Sequence, residues 1–316
     1  MRSRDPEVLV PQAIAGDRGA LARLLTLVER GGEPARVVAR LCHPRAGHAH
    51  TIGLTGAPGA GKSTLTDAVI GHLRSRGTEV AVLAVDPSSP FTGGAILGDR
   101  VRMQGHAGDD GVYIRSMASR GQLGGLSLAT PEAVRVLDAV GLPLVIIETV
   151  GVGQVEVEIA GTADTTVVVV NPGWGDAVQA NKAGLMEIAD IFVVNKADRP
   201  GAEVAARDLD QMLEMTMRSP GGWRPPILET SAVEAKGIPD LWAAVETHQS
   251  HLVASGEGEE RRRKRLADEL RAIVVHTLER RAMELAGGDT FESVLAQVVS
   301  RRIDPWTAAD EVLAQV

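Results

Sequence analysis

The residues whose types and spacing most plainly point to chemistry are a glycine run closed by a cation and a hydroxyl. Gly56-Ala57-Pro58-Gly59-Ala60-Gly61-Lys62-Ser63 fits G-x-x-x-x-G-K-[S/T] in full, after an apolar strand-like run and before a helix-like one. Glycines let successive backbone N–H groups curl around a β-phosphate, and a helix N-terminus adds partial positive charge. In that pattern Lys62 bridges the β- and γ-phosphates and the Ser63 hydroxyl ligates Mg²⁺. The loop alone leaves GTPase, ATPase and kinase open.

Asn195-Lys196-Ala197-Asp198, at the end of the apolar run Ile191–Val194, narrows the choice. Guanine presents N1–H and its 2-amino group side by side, and one carboxylate, Asp198, can accept from both. Adenine has an acceptor at N1 and no 2-amino group, so it would leave Asp198 unpaired, which costs a large selectivity factor. Ser231-Ala232-Val233, after the run Ile227–Thr230, is where backbone N–H groups could reach the guanine O6. The pattern therefore predicts binding of GTP and GDP.

Three acids fall at strand ends or in loops. Asp86 follows Val80–Val85, Asp99 lies in the glycine-rich stretch 92–99, and Glu148 is near the end of Leu144–Thr149. Mg²⁺ takes oxygen ligands and keeps several waters, so one or two of these acids, direct or through water, would suffice. Glu148-Thr-Val-Gly151 is followed by Val-Gly-Gln154, with Glu in place of the more usual Asp of D-x-x-G. The Gly151 N–H can reach a γ-phosphate, and a loop held only by that phosphate loosens after hydrolysis. Gln154 is a candidate for orienting water. No arginine finger is evident in these motifs, so turnover of the isolated protein is expected to be slow.

These residues need a scaffold. Seven short runs, Thr51–Thr55, Val80–Val85, Gly111–Arg115, Leu144–Thr149, Thr165–Val170, Ile191–Asn195 and Ile227–Thr230, are mostly β-branched and apolar throughout. Helical stretches lie between most of them. Continuous apolar runs are what strands covered on both faces require, so the expected class is α/β, a P-loop NTPase with a mostly parallel sheet. Residues 5–42 read as amphipathic helix, with Leu21, Leu24, Leu25 and Val28 on one stripe and Asp17 as a cap. Beyond 238 the pattern is helical. The expected organisation is a helical extension 1–48, a nucleotide-binding domain 49–255 and a helical region 256–316.

The chain has 316 residues, 44% apolar and 23% charged, with net charge −8. That is a globular composition, and the acidic balance argues against a dedicated nucleic-acid binder. No apolar run approaches a membrane span. A single cysteine, Cys42, excludes an internal disulfide framework. A cytoplasmic location is the expectation. Cys42, His43, His48 and His50 read as solvated linker residues rather than a metal site, and Arg261–Arg265 as a solvated helix face.

The motifs G-A-P-G-A-G-K-S-T (56–64, which adds Thr64), V-D-P-S-S-P-F-T-G-G-A-I-L-G-D-R (85–100), E-T-V-G-V-G-Q (148–154) and N-K-A-D (195–198) together resemble the MeaB/ArgK/MMAA GTPases. The resemblance covers most of the chain. It implies a homodimeric GTPase chaperone of adenosylcobalamin-dependent methylmalonyl-CoA mutase that gates cofactor loading and protects the enzyme, with dimerisation through the C-terminal helices. It further implies that Asp86, Asp99 and Glu148 serve the Mg²⁺ site and its switches. A third switch is implied over 171–182, carried by Asp176 and Lys182, although Ala180, Asn181 and Ala183 depart from the family's G-D-x-x-Q-G-I-K-K form. Two other classes compete: a nickel-inserting GTPase, for which a metal motif is missing, and a phosphotransferase, for which no acceptor pocket is marked.

Overall fold

The computed structural model describes residues 3–87, 104–106, 108–119, 129–149, 161–173, 182–215, 222–286 and 289–314. Three helices come first, α1 (Pro6–Ile14), α2 (Arg18–Arg30) and α3 (Gly32–Cys42). Asp17 opens α2, its carboxylate accepting from the N–H groups of Gly19 at 2.7 Å and Ala20 at 3.0 Å. This satisfies two donors that have no partner inside the helix. Gly31, at φ 71°, ends α2 and starts α3. The break expected at 31–34 is thus a tight corner, and Pro34 lies in the first turn of α3, where an N–H would have no helical partner.

Seven parallel strands follow in one sheet of order β3-β2-β4-β1-β5-β6-β7. They are β1 (His50–Gly56), β2 (Val80–Pro87), β3 (Val112–Ser119), β4 (Leu144–Thr149), β5 (Thr165–Val170), β6 (Ile191–Asn195) and β7 (Ile227–Thr230). The last four have the bounds expected from sequence. β3 continues past Arg115 because Ala118 and Ser119 pair with Asp86 and Pro87.

Both faces are covered, which is why strands such as Val167–Val170 carry no polar alternation. On one face α4 (Lys62–Ser75) and α8 (Ile238–Ser255) bring Leu65, Ile70, Leu241 and Trp242 against Ile52, Leu54, Val167 and Val169. On the other, α5 (Ala129–Ala139) and the N-terminal helices share a core with Leu83, Val145 and Ile147. α6 (Lys182–Ile188) and α7 (Ala202–Met215) cover Val168, Phe192 and Val194. Neighbouring residues of β5 thus point to opposite helical layers.

The chain forms two compact units, Met1–Arg262 and Arg263–Val316. The helix α9 (Glu257–Ala286) begins in the first, and the second contains the rest of it with α10 (Asp289–Val299) and α11 (Pro305–Leu313). Along α9, Leu266, Leu270, Ile273 and Leu278 are exposed. Among the described residues no helix is long and apolar enough to cross a membrane.

The reading of 261–265 as solvated helix face is corrected at its first two residues. Asp164 and Asp190 immediately precede β5 and β6 and are buried. Arg262 donates to Asp164 at 3.2 Å and to the Gly47 carbonyl at 2.7 Å. Arg261 donates to Asp190 at 3.0 Å and pairs with Glu257 at 2.7 Å. Helical periodicity cannot reveal acids so distant in sequence. The reading of the 42–50 linker is corrected likewise at both ends. Cys42 is buried, and burial foremost, with Glu132 adding to it, pushes its thiol up to about 11. His50 is buried in β1, its Nε2 sharing a 2.9 Å hydrogen bond with the Thr165 hydroxyl, which is 2.8 Å from Nδ1 of His248.

The Asp190 carboxyl is held below the ordinary carboxylate range. Burial opposes this, but adjacent His248, the Arg261 guanidinium and the Thr166 N–H outweigh it. A carboxyl with a depressed pKa stabilises the fold fully above its unfolded value, about 3.9, and that contribution is lost as pH falls through the folded value. Arg261→Ala is expected to cost about 2 kcal/mol at neutral pH. This lies below the roughly 3–5 kcal/mol for breaking a fully buried pair, because the guanidinium is partly exposed. The deficit shrinks as pH falls from the unfolded value, about 3.9, through the lower folded value at which Asp190 takes up its proton. Urea unfolding of both proteins across that range measures it, and a deficit unchanged by acid would discard the ion pair as its cause.

Candidate nucleotide-binding site

Because every strand is parallel, all seven carboxyl ends lie along one edge of the sheet. β1 sits between β4 and β5, at the point where the strand order reverses, and such points open a crevice beyond the carboxyl ends. Gly56, Asp86, Glu148, Asn195 and Thr230 all stand at this edge.

The loop between β1 and α4 requires glycine at two places. At Gly56, φ is 136° and a Cβ would lie 2.0 Å from the Val169 carbonyl oxygen. At Gly61, φ is 91° and a Cβ would lie 2.5 Å from Nδ2 of Asn195. Gly61 is also the N-cap of α4 and supplies no side-chain acceptor to the helix's first N–H groups. Those donors are what an anion at a helix N-terminus uses. Buried Lys62 arches over the loop, donating to the carbonyls of Gly56 at 2.6 Å and Ala57 at 3.1 Å.

Ser63, in the first turn of α4, donates its hydroxyl to Oε1 of Glu148 at 2.5 Å. Both are buried, with Glu148 only 3% exposed. A serine hydroxyl whose proton is engaged this way presents its oxygen, not its proton, to a cation. A hydroxyl beside a carboxylate is a hard oxygen set that fits Mg²⁺. Among the described residues no three His, Cys, Asp or Glu side chains cluster as a metal site.

The base-reading residues are tied to the phosphate loop. Asn195 donates to the Ala60 carbonyl at 2.9 Å and accepts from the Thr230 hydroxyl at 3.1 Å and the Ala232 N–H at 3.2 Å. One side chain thereby joins three loops. Lys196, at φ 62°, donates to the Gly59 carbonyl at 2.7 Å. The Ser231 hydroxyl donates to Oδ1 of Asp198 at 2.9 Å, aiming a carboxylate whose remaining lone pairs can meet two adjacent donors. With the Ala232 N–H taken by Asn195, Val233 offers the next backbone donor in the loop. Thr230 was not singled out from sequence; its position at the end of a short apolar strand gives no signal without Asn195 opposite it.

The structure thus brings together Gly56 to Thr64, Glu148, Asn195, Lys196, Asp198 and Ser231 to Val233. Asp86 lies next to the end of β2, paired with Ala118 of β3, and Lys182 opens α6; only their backbone positions are described. Asp99, Gly151, Gln154 and Asp176 lie outside the described residues.

A seven-stranded parallel sheet, helices on both faces and a phosphate-cradling loop at the end of β1 define the P-loop nucleoside triphosphatase class. Residues 21–286 match the sequence profile of the methylmalonyl-CoA mutase-associated GTPase MeaB, and the chain belongs to that family of guanine-nucleotide-binding GTPases. It is 49% identical over 310 residues to PH0274 of Pyrococcus horikoshii, which carries a provisional GTPase name, covering 98% of this chain and 97% of that one. It is 39% identical over 263 residues to the GTPase ArgK of Escherichia coli, covering 81% and 80%. The mouse mitochondrial methylmalonic aciduria type A homolog is 36% identical over 262 residues, covering 77% and 63%. Among solved structures, a LAO/AO transport system kinase superposes with a TM-score of 0.73 at 28% identity, covering 100% and 99%.

Proposed function

We propose that this GTPase is a chaperone of adenosylcobalamin-dependent methylmalonyl-CoA mutase, gating cofactor loading and protecting the enzyme. The family description and the name of the mouse relative support the partner. The observation that carries the guanine reading is Asn195 holding the phosphate loop and the base-reading loops in one hydrogen-bonded unit, with Asp198 aimed by Ser231.

In this reading 49–255 is the GTPase part. The N–H groups of the loop and of the first turn of α4 hold the phosphates, and Lys62 leaves the loop carbonyls to neutralise charge as the β–γ bond breaks. Ser63 and Glu148 would hold Mg²⁺, with Asp86 and Asp99 added in the nucleotide-bound state. A bound Mg²⁺ would offset charge on the β- and γ-oxygens. Gly151 and Gln154 would serve the γ-phosphate and the attacking water. The exposed apolar residues Leu266, Leu270, Ile273 and Leu278 of α9 support a homodimer built through 256–316.

The mutase acts as an effector only if it binds one nucleotide state better than the other. Asp176 and Lys182 carry that coupling, since both follow the core strand β5 in the chain and Lys182 opens α6. Lys182→Ala should leave basal hydrolysis within a few-fold of the original and abolish stimulation by the mutase. Phosphate release with and without the mutase, for both proteins, decides. Equal stimulation of the variant refutes the role of Lys182, and stimulation of neither refutes the partner.

A further inference from the structure

Glu148 is gripped at both oxygens from the same helix. Oε1 takes the Ser63 hydroxyl, and Oε2 takes the hydroxyl of Thr66, 2.9 Å away and one turn further along α4. Thr66 is fully buried. Its hydroxyl is also 3.0 Å from the Lys62 carbonyl. That carbonyl is already the helical acceptor for the Thr66 N–H, and a hydrogen bond to a carboxylate is the stronger, so the proton goes to Glu148. A glutamate carboxylate, on the end of three rotatable side-chain bonds, would otherwise be free to turn about its terminal torsion, which is broad. With both oxygens engaged, Oε1 stays on Ser63.

We propose that Thr66 is a positioning residue: its hydroxyl locks the Glu148 carboxylate onto Ser63 and so sets how strongly Mg²⁺ and guanine nucleotide reinforce each other's binding. Thr66 touches neither; it acts through Glu148. This rests on the reading of Ser63 and Glu148 as the Mg²⁺ site. Partners that orient a metal ligand from behind are worth roughly 10- to 100-fold in metal affinity.

The test is the affinity of the full chain for a fluorescent GDP analogue, titrated with Mg²⁺ and again with the metal chelated. Thr66→Val and Thr66→Ala are expected to cut the enhancement by Mg²⁺ roughly 10-fold, the lower end of that range. The metal-free affinity should stay close to that of the unmutated protein, since the hydroxyl faces Glu148 and not the base or the phosphate loop N–H groups. Thr66→Ser keeps the hydroxyl and should keep the enhancement. The alanine variant guards against a valine that does not fold, as alanine is the best helix former. Full enhancement in the alanine variant overturns the proposal. So does loss in the serine variant, which would place the effect in the methyl group's packing. Glu148→Gln separates the two levels. If it loses the enhancement while Thr66→Ala keeps it, only the role of Thr66 falls. If it too keeps the enhancement, the metal site itself is misplaced and both readings fall.

Discussion

Asp198→Asn is expected to weaken GTP binding by on the order of 10³-fold and to strengthen binding of xanthosine triphosphate. The magnitude approaches the roughly 10⁴–10⁵ reached by sites built to pair a specific polar group. Asp198 holds one oxygen on the Ser231 hydroxyl at 2.9 Å. An asparagine can keep that bond through its own oxygen, which turns its amide N–H₂ toward the base. The 2-amino group of guanine then meets a donor, and a donor facing a donor, once the base covers the site, loses its water with nothing in return. Xanthine has an oxygen at position 2 and accepts from the same amide. Asn195, Thr230 and the Ala232 N–H, which hold the loops together, are untouched by the change. Titrations of both proteins with GTP, ATP and xanthosine triphosphate measure it. Tight binding of ATP by the unmutated protein would end the guanine reading.

The second large effect is at Lys62. Its ammonium is buried and donates to the first two carbonyls of the loop. Replacing it with alanine removes the cation that would follow negative charge from the γ-phosphate to the leaving β-phosphate. Losing one such contact costs about 3–4 kcal/mol of transition-state stabilisation, so hydrolysis is expected to fall by roughly 10² or more. The Gly56 and Ala57 carbonyls also lose their donor, so circular dichroism must accompany the kinetics. A variant with the native spectrum and undiminished phosphate release would remove Lys62 from the mechanism.

Much of the site was legible because its parts are local. A glycine at positive φ, a lysine at a helix start and an aspartate three residues beyond a strand-end asparagine are chain-neighbour relations, and spacing records them. The seven strands were legible for a related reason: burial on both faces removes polar residues, and Val167–Val170 shows this without alternation. Where the strands β4 to β7 end was readable because a polar or hydroxylated residue closes each apolar run or the run simply stops. β3 was underestimated, since its last residues pair with Asp86 and Pro87 and carry no apolar signal of their own.

Sequence by itself determined the class of the fold, the phosphate loop and the type of base reader, because each is written in residues close along the chain. Only the tertiary structure decided which side chains answer one another across it. Thr66 is an ordinary helix residue until β4 brings Glu148 to 2.9 Å from its hydroxyl. Thr230 becomes part of the base site only when β7 lies beside β6. Arg261 and Arg262, which periodicity places on a wet helix face, find Asp190 and Asp164 at the opposite end of the same strands. In each case a buried acid or amide needs partners wherever the fold can supply them, and parallel packing of distant segments, not local propensity, determines where that is.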